Sequence, residues 1–92
     1  MAILHSRLEI NSTTPTIVTI PGRESGTNLT IQVQNLGSEA VYLGGEGLTN
    51  TEYGVSIVPG GAVTIDNLAP ADEIYVLSAS GTSHVGVLGV KR

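Results

Sequence analysis

Val55-Ser56-Ile57-Val58-Pro59-Gly60-Gly61-Ala62-Val63-Thr64-Ile65 sets the fold class of this chain. Two β-branched runs flank a proline and a pair of glycines. Proline fixes its own φ and offers no N–H, while glycine reaches positive φ at no steric cost, so the triplet reverses the chain between two strands. The runs are too short and too β-branched for a helix, and they suit a pleated, half-buried surface. From Val41 to Val90 the same rhythm repeats, leaving no stretch long enough for a helix that could carry an active site.

Working outward, Leu29, Ile31 and Val33 alternate with Thr30, Gln32 and Gln34, which predicts a strand with one buried face. Asn35-Leu36-Gly37-Ser38 turns the chain into Ala40-Val41-Tyr42-Leu43. Gly44-Gly45-Glu46-Gly47 and Thr49-Asn50-Thr51 form the longest irregular stretch before Tyr53 to Val58 resumes as strand. After Val63-Thr64-Ile65, Asn67 to Ala71 reads as a break. Pro70-Ala71-Asp72-Glu73 has the form of a helix start, but Ile74-Tyr75-Val76-Leu77 is β-branched and aromatic and Gly81 follows soon, so a strand is expected. Ser80-Gly81-Thr82 turns the chain into a last run containing Val85, Val87 and Val90. Toward the N-terminus, Thr16 to Ile20 predicts a strand stopped by Pro21-Gly22, followed by a polar loop from Arg23 to Thr27. Leu4, Leu8 and Ile10 alternate with His5, Arg7 and Glu9. Residues 1–14 are therefore an edge strand or an extended arm, closed by the Asn11-to-Pro15 break, and residues 15–92 are the main domain. About eight short strands at this spacing predict an all-β, single-domain antiparallel sandwich, Ig-like or jelly-roll-like.

Composition narrows what such a sandwich can do. The chain has 92 residues with no Cys, Trp or Phe and only three Tyr, so its core must be aliphatic and has no disulfide to support it. A domain this size buries only about 63% of its unfolded surface, and oligomerisation is the expected supplement. Charged residues make up 13%, half the usual share, and the net charge is −4. Arg7, Arg23, Lys91 and Arg92 are too few to build a phosphate-binding stripe, so nucleic acid is not an expected partner. No apolar run is long enough to span a membrane, and the first residues lack the features of a secretory signal.

Three elements in fixed order carry a resemblance: Val41-Tyr42-Leu43-Gly44-Gly45, then Val58-Pro59-Gly60-Gly61-Ala62-Val63-Thr64-Ile65, then Asp72-Glu73-Ile74-Tyr75-Val76-Leu77-Ser78-Ala79-Ser80-Gly81-Thr82. The order and spacing resemble those of small β-sandwich virion proteins of tailed bacteriophages, particularly head decoration and head fibre-like modules. The resemblance runs from the Asn35-Leu36-Gly37 turn onward and leaves residues 1–25 outside. Glu73-Ile74 replaces the leucine that usually precedes the tyrosine, and Asn67-Leu68-Ala69 lengthens the link before Pro70. What the resemblance implies is a structural protein made in the host cytoplasm and seated on the capsid surface. Its partner would be the major capsid protein of the same phage, and it would form a homo-oligomer, with a trimer favoured. A tail or head module that binds host-surface glycan is the alternative.

The candidate contact residues are Ile3, Leu4, Leu8 and Ile10, which could fill pockets if the N-terminal segment adds to a partner's sheet, together with Gly44, Gly45 and Tyr53. The two glycines permit close approach of a neighbouring backbone, and Tyr53 lies between loop and strand. Catalytic, cofactor and metal sites are not expected. Gly44-Gly45-Glu46-Gly47 is followed by Leu48-Thr49-Asn50 in place of the Gly-Lys-Ser/Thr of a phosphate loop, and His5 and His84 have no motif partner. Asp66, Asp72 and Glu73 match no calcium-loop spacing. No G-x-S-x-G elbow is present, so an enzyme is not expected.

Overall fold

A computed structural model describes residues 2–18, 29–68 and 72–91. These contain eight strands and no helix: β1 (Ala2–Ile10), β2 (Thr16–Ile17), β3 (Leu29–Asn35), β4 (Val41–Gly44), β5 (Val55–Ile57), β6 (Ala62–Leu68), β7 (Tyr75–Ser78) and β8 (Ser83–Lys91). They form two four-stranded antiparallel sheets with strand orders β1-β8-β3-β6 and β2-β7-β4-β5. First pairs with last, second with seventh, third with sixth and fourth with fifth. This nesting is the jelly-roll arrangement. An immunoglobulin sandwich would pair β1 with β2, which here lie in different sheets. The accessible surface of 5130 Å² is close to the roughly 5,000 Å² expected of a compact monomer of this mass.

The core is an aliphatic sheet-on-sheet layer. On β3, Leu29, Ile31, Val33 and Asn35 are buried, and on β8 Ser83, Val85 and Val87 are buried, each set at every second position as the pleat requires. Val41 and Leu43 of β4, Ile57 of β5 and Val76 of β7 close the layer from the other sheet. Val90 has the opposite parity to Val85 and Val87 and belongs to the outer face.

Several boundaries differ from the sequence-based expectation. Thr19 to Thr27 lie outside the described residues; before them β2 covers only Thr16–Ile17, and the Val18 N–H continues the pairing to the Ile74 carbonyl at 2.7 Å. β5 starts at Val55, two residues later than expected. β6 runs on through Asn67 to Leu68, where a break was expected from Asn67 onward. Asp and Asn are poor strand residues, but here the strand takes in an extra residue: Ile65 opposes Ile31 while Leu68 opposes Leu29. This bulge lets Leu68 return to the core despite the polar pair. Beyond Asp72 to Ile74, Tyr75–Ser78 is strand, as expected; Ala69 to Ala71 lie outside the described residues.

The turn between β5 and β6 follows its sequence. The Gly61 N–H donates to the Val58 carbonyl at 2.8 Å, Pro59 is the second residue and Gly60 the third with φ 80°, the pattern of a type II turn. The turn is fastened to β3 through Asn35. Its main chain exchanges bonds with the turn, N–H to Gly61 carbonyl at 2.9 Å and carbonyl from Gly60 N–H at 3.0 Å. The side chain is 1% exposed, and its Nδ2 donates to the Ile57 carbonyl at 2.9 Å and the Glu39 carbonyl at 2.7 Å. Its Oδ1 accepts the Gly37 N–H at 2.9 Å. One side chain thus ties β3 of the first sheet to β5 of the second.

Candidate functional site: contact surfaces of the sandwich

The outer face of the β1-β8-β3-β6 sheet can be laid out from its registers. Ile3, Val90 and Thr30 form one row; His5, Leu88, Gln32 and Thr64 the next; Arg7, Gly86, Gln34 and Ala62 a third. Glu9 and His84 start a fourth, with His84 Nε2 3.7 Å from the Glu9 carboxylate in an exposed pair. The middle of this face is uncharged. Ile3 is 63% exposed and Leu88 45%, and between β1 and β3 a shallow depression of about 290 Å³ lies over Gly86, walled by His5, Gln32, Gln34 and Leu88. Leu36 lies across the end of the face, where a Cβ on Gly86 would come within 3.3 Å of its Cδ1.

A second surface lies at the side of the sandwich where β5 and β6, joined by the type II turn, are the edges of their respective sheets. Val55 and Ile57 share the inner face of β5, yet Val55 is 40% exposed and Ile57 only 4%. Val63 and Ile65 face inward from β6 and are half-buried. The gap is an apolar groove of about 230 Å³ with Leu43, Val55, Val63, Ile65 and Ile74 on its walls and Glu73 at its margin. Adjacent to it, the β4–β5 loop encloses a more polar cleft of about 240 Å³ between Gly44, Gly45, Glu46, Glu52 and Tyr53.

The structure separates the sequence-derived contact residues into two groups. Ile3 alone of the β1 group is on the outer face. Leu4 and Leu8 point inward and are half-buried, and Ile10 is 1% exposed within the core. Gly44, Gly45 and Tyr53 come together at the loop cleft, on the opposite side of the molecule from β1. Gly44 answers to local packing, because a Cβ there would lie 3.1 Å from Leu48 Cδ1, whereas a Cβ on Gly45 meets open space. Tyr53 is 46% exposed and stacks on Tyr42 with ring centroids 4.2 Å apart and planes inclined by 18°. Asp66 accepts the Thr30 hydroxyl at 2.6 Å. No group of three or more His, Cys, Asp or Glu side chains is placed to hold a metal ion among the described residues.

Two features are missed by the reading of the residue pattern. The groove depends on which strands become edges, a matter of topology that alternation does not carry. The inward aim of Asn35 was obscured because Asn-x-Gly reads as turn; its only signal was the parity it shares with Leu29, Ile31 and Val33.

No family model matches the chain, and no curated protein matches it significantly. The likeness to virion modules therefore rests on the three sequence elements that carry it.

Proposed function

We propose that this chain is a structural virion protein, a decoration protein that binds the assembled shell of a tailed bacteriophage and stabilises it. The observation that carries the reading is the outer face of the β1-β8-β3-β6 sheet, which offers Ile3, Leu88 and Val90 among glutamines and threonines. Such a surface gives up apolar area and makes neutral hydrogen bonds without the desolvation cost of buried charge. Binding only to the assembled shell stabilises that state by mass action. In this reading the protein is made in the host cytoplasm, becomes part of the virion surface, contacts the major capsid protein of the same phage and works as a homo-oligomer, with a trimer favoured.

The test is to add the purified protein to undecorated shells of its phage and image them. Ordered density at sites shared by neighbouring capsomers supports the proposal. A location confined to the tail tip, or no binding, refutes it. Because the middle of the face is uncharged and the charges at its edges, Arg7, Glu9 and Asp66, are of both signs, occupancy should change little between 50 and 500 mM salt, in contrast to binding governed by phosphate contacts.

A second reading, binding of host-surface glycan, draws on Tyr53. Its ring lies against Tyr42 on one side and beside the cleft that holds Glu46 and Glu52, which combines an aromatic platform with hydrogen-bond acceptors. A glycan array with the whole chain separates the two: decoration predicts no hits, whereas a hit abolished by Tyr53→Ala supports the glycan reading.

A further inference from the structure

The two sheets end differently. Among the described residues the β2-β7-β4-β5 sheet is bounded by β2 and β5, of two and three residues, too short to template another strand. The β1-β8-β3-β6 sheet is bounded by β1 with nine residues and β6 with seven, and among the described residues β1 pairs only with β8 and β6 only with β3. Both ends of one sheet are therefore long edges of main-chain donors and acceptors. The apolar groove beside β6 is a further sign that the sandwich is unfinished on that side.

We infer that β1 of one copy adds to the free edge of β6 in a second copy, continuing the sheet from molecule to molecule. The occupant follows from direction, register and charge. Within the sheet β1 runs parallel to β3 and antiparallel to β6, so copies related by rotation about an axis along the strands bring β1 to β6 in antiparallel fashion, as in every other pair of this fold. Register is set by the pleat, since a slip of one residue would turn every side chain to the wrong face. The outward residues are Ile3, His5, Arg7 and Glu9 on β1 and Ala62, Thr64 and Asp66 on β6. Two antiparallel registers keep these on a common face with all of Ala62–Asp66, the stretch before the bulge, opposite β1, and only one of them sets a basic side chain against Asp66. It sets His5 opposite Asp66, Arg7 opposite Thr64, Glu9 opposite Ala62 and, on the inner face, Leu8 opposite Val63. Asp66 thus lies opposite His5 and diagonal to Arg7 while Glu9 faces Ala62, and Leu8 is delivered to the groove where Val63 and Ile65 are half-buried. Contacts of this kind are head-to-tail, and when they close into a ring no long edge of the sheet is left unpaired.

This contact deepens the oligomer invoked for shell binding, but it is tested with no shell present, so a monomeric chain overturns the contact and leaves shell binding to its own experiment. The chain has no cysteine, which gives a clean background for cross-linking. In the full chain, His5→Cys with Asp66→Cys places two thiols on directly opposed residues of neighbouring copies, within disulfide reach. Mild oxidation should yield reducible covalent multimers, at least tenfold faster than the pair shifted along β1, Arg7→Cys with Asp66→Cys. Sedimentation equilibrium of the unmodified protein should show an oligomer. Val63→Lys, an inward charge at the edge, should weaken self-association at least tenfold while circular dichroism shows the sandwich intact; Thr64→Lys, on the outward side of the same strand, provides a second probe should Val63→Lys fail to fold. A protein that remains monomeric at millimolar concentration, or an oligomer in which the shifted pair cross-links as fast as His5/Asp66, refutes the inference.

Discussion

Replacing Asn35 with alanine removes a single exposed-looking polar residue from the sequence and a central tie from the structure. The Ile57 carbonyl loses its buried donor, at about 1–3 kcal/mol for an orphaned buried group. The bonds to the Glu39 carbonyl and from the Gly37 N–H are only part-buried and can be replaced by water, so each contributes about 0.5–1 kcal/mol. A central figure of about 3 kcal/mol follows, against a total stability of about 5–14 kcal/mol for a chain of this length. For a domain under 100 residues this corresponds to a fall in Tm of roughly 12–24 °C. Thermal unfolding followed by circular dichroism measures it, with urea titration checking that the m-value is unchanged. Asn35→Leu separates hydrogen bonding from volume, since it fills the space but leaves the same carbonyls unpaired. It should be destabilised about as much as Asn35→Ala. A fall below about 4 °C for alanine, or full stability with leucine, would refute the tie between the sheets.

The remaining predictions concern turns, packing and salt. Gly60→Ala places a Cβ at φ 80° and should lose about 1–2 kcal/mol, measured by urea denaturation, although the space around it is open. Gly37→Ala drives a Cβ into Ser83 Oγ and should cost at least about 1–3 kcal/mol. Ser83→Ala, which deletes a buried hydroxyl without a partner among the described residues, should be neutral or stabilising alone and should relieve part of the Gly37→Ala loss in the double variant. Tyr53→Ala breaks the stack on Tyr42 and should destabilise by about 0.5–1.5 kcal/mol, with a loss above about 3 kcal/mol pointing to a role in the core. Raising salt from 50 to 500 mM should move Tm by only a few degrees, because the Glu9–His84 pair is exposed and contributes at most about 1 kcal/mol.

How far the fold could be read depended on whether the information was local. The alternation of Leu29 to Val33 and the Pro59-Gly60 turn are dictated by pleat and dihedral preference, and they were legible as such. β6 was not, because Asp66 and Asn67 argue against strand, and only the bulge opposite Leu29 and Ile31 makes them tolerable. The contact residues divide in the same way. Ile3 and Ile10 look alike in the sequence, but β1 pairs along its whole length with β8, and the odd–even parity of that pairing puts Ile3 outside and Ile10 in the core. Val55 is the converse case: its parity with Ile57 predicts burial, and it is exposed only because β5 is an edge beside an open groove.

That groove and the two long edges have a common energetic meaning. Apart from Asn35 and Ser78 the fully buried side chains are aliphatic, with no aromatic among them, so their contribution per residue is modest. A chain with 13% charged residues also has little repulsion to discourage strand addition at its edges. A domain in this position either blunts such edges or uses them. Among the described residues β2 and β5 are blunted by shortness. β1 and β6 are not, and the inferred register places Asp66 opposite His5 and diagonal to Arg7, with Glu9 set away from it against Ala62. Pairing of these edges would stabilise the fold by mass action, by about 2.7 kcal/mol when the partner stands at 100 times its dissociation constant. That is comparable to the whole contribution assigned to Asn35. On this argument an assembly through these edges would belong to the stability of the protein as much as its core does.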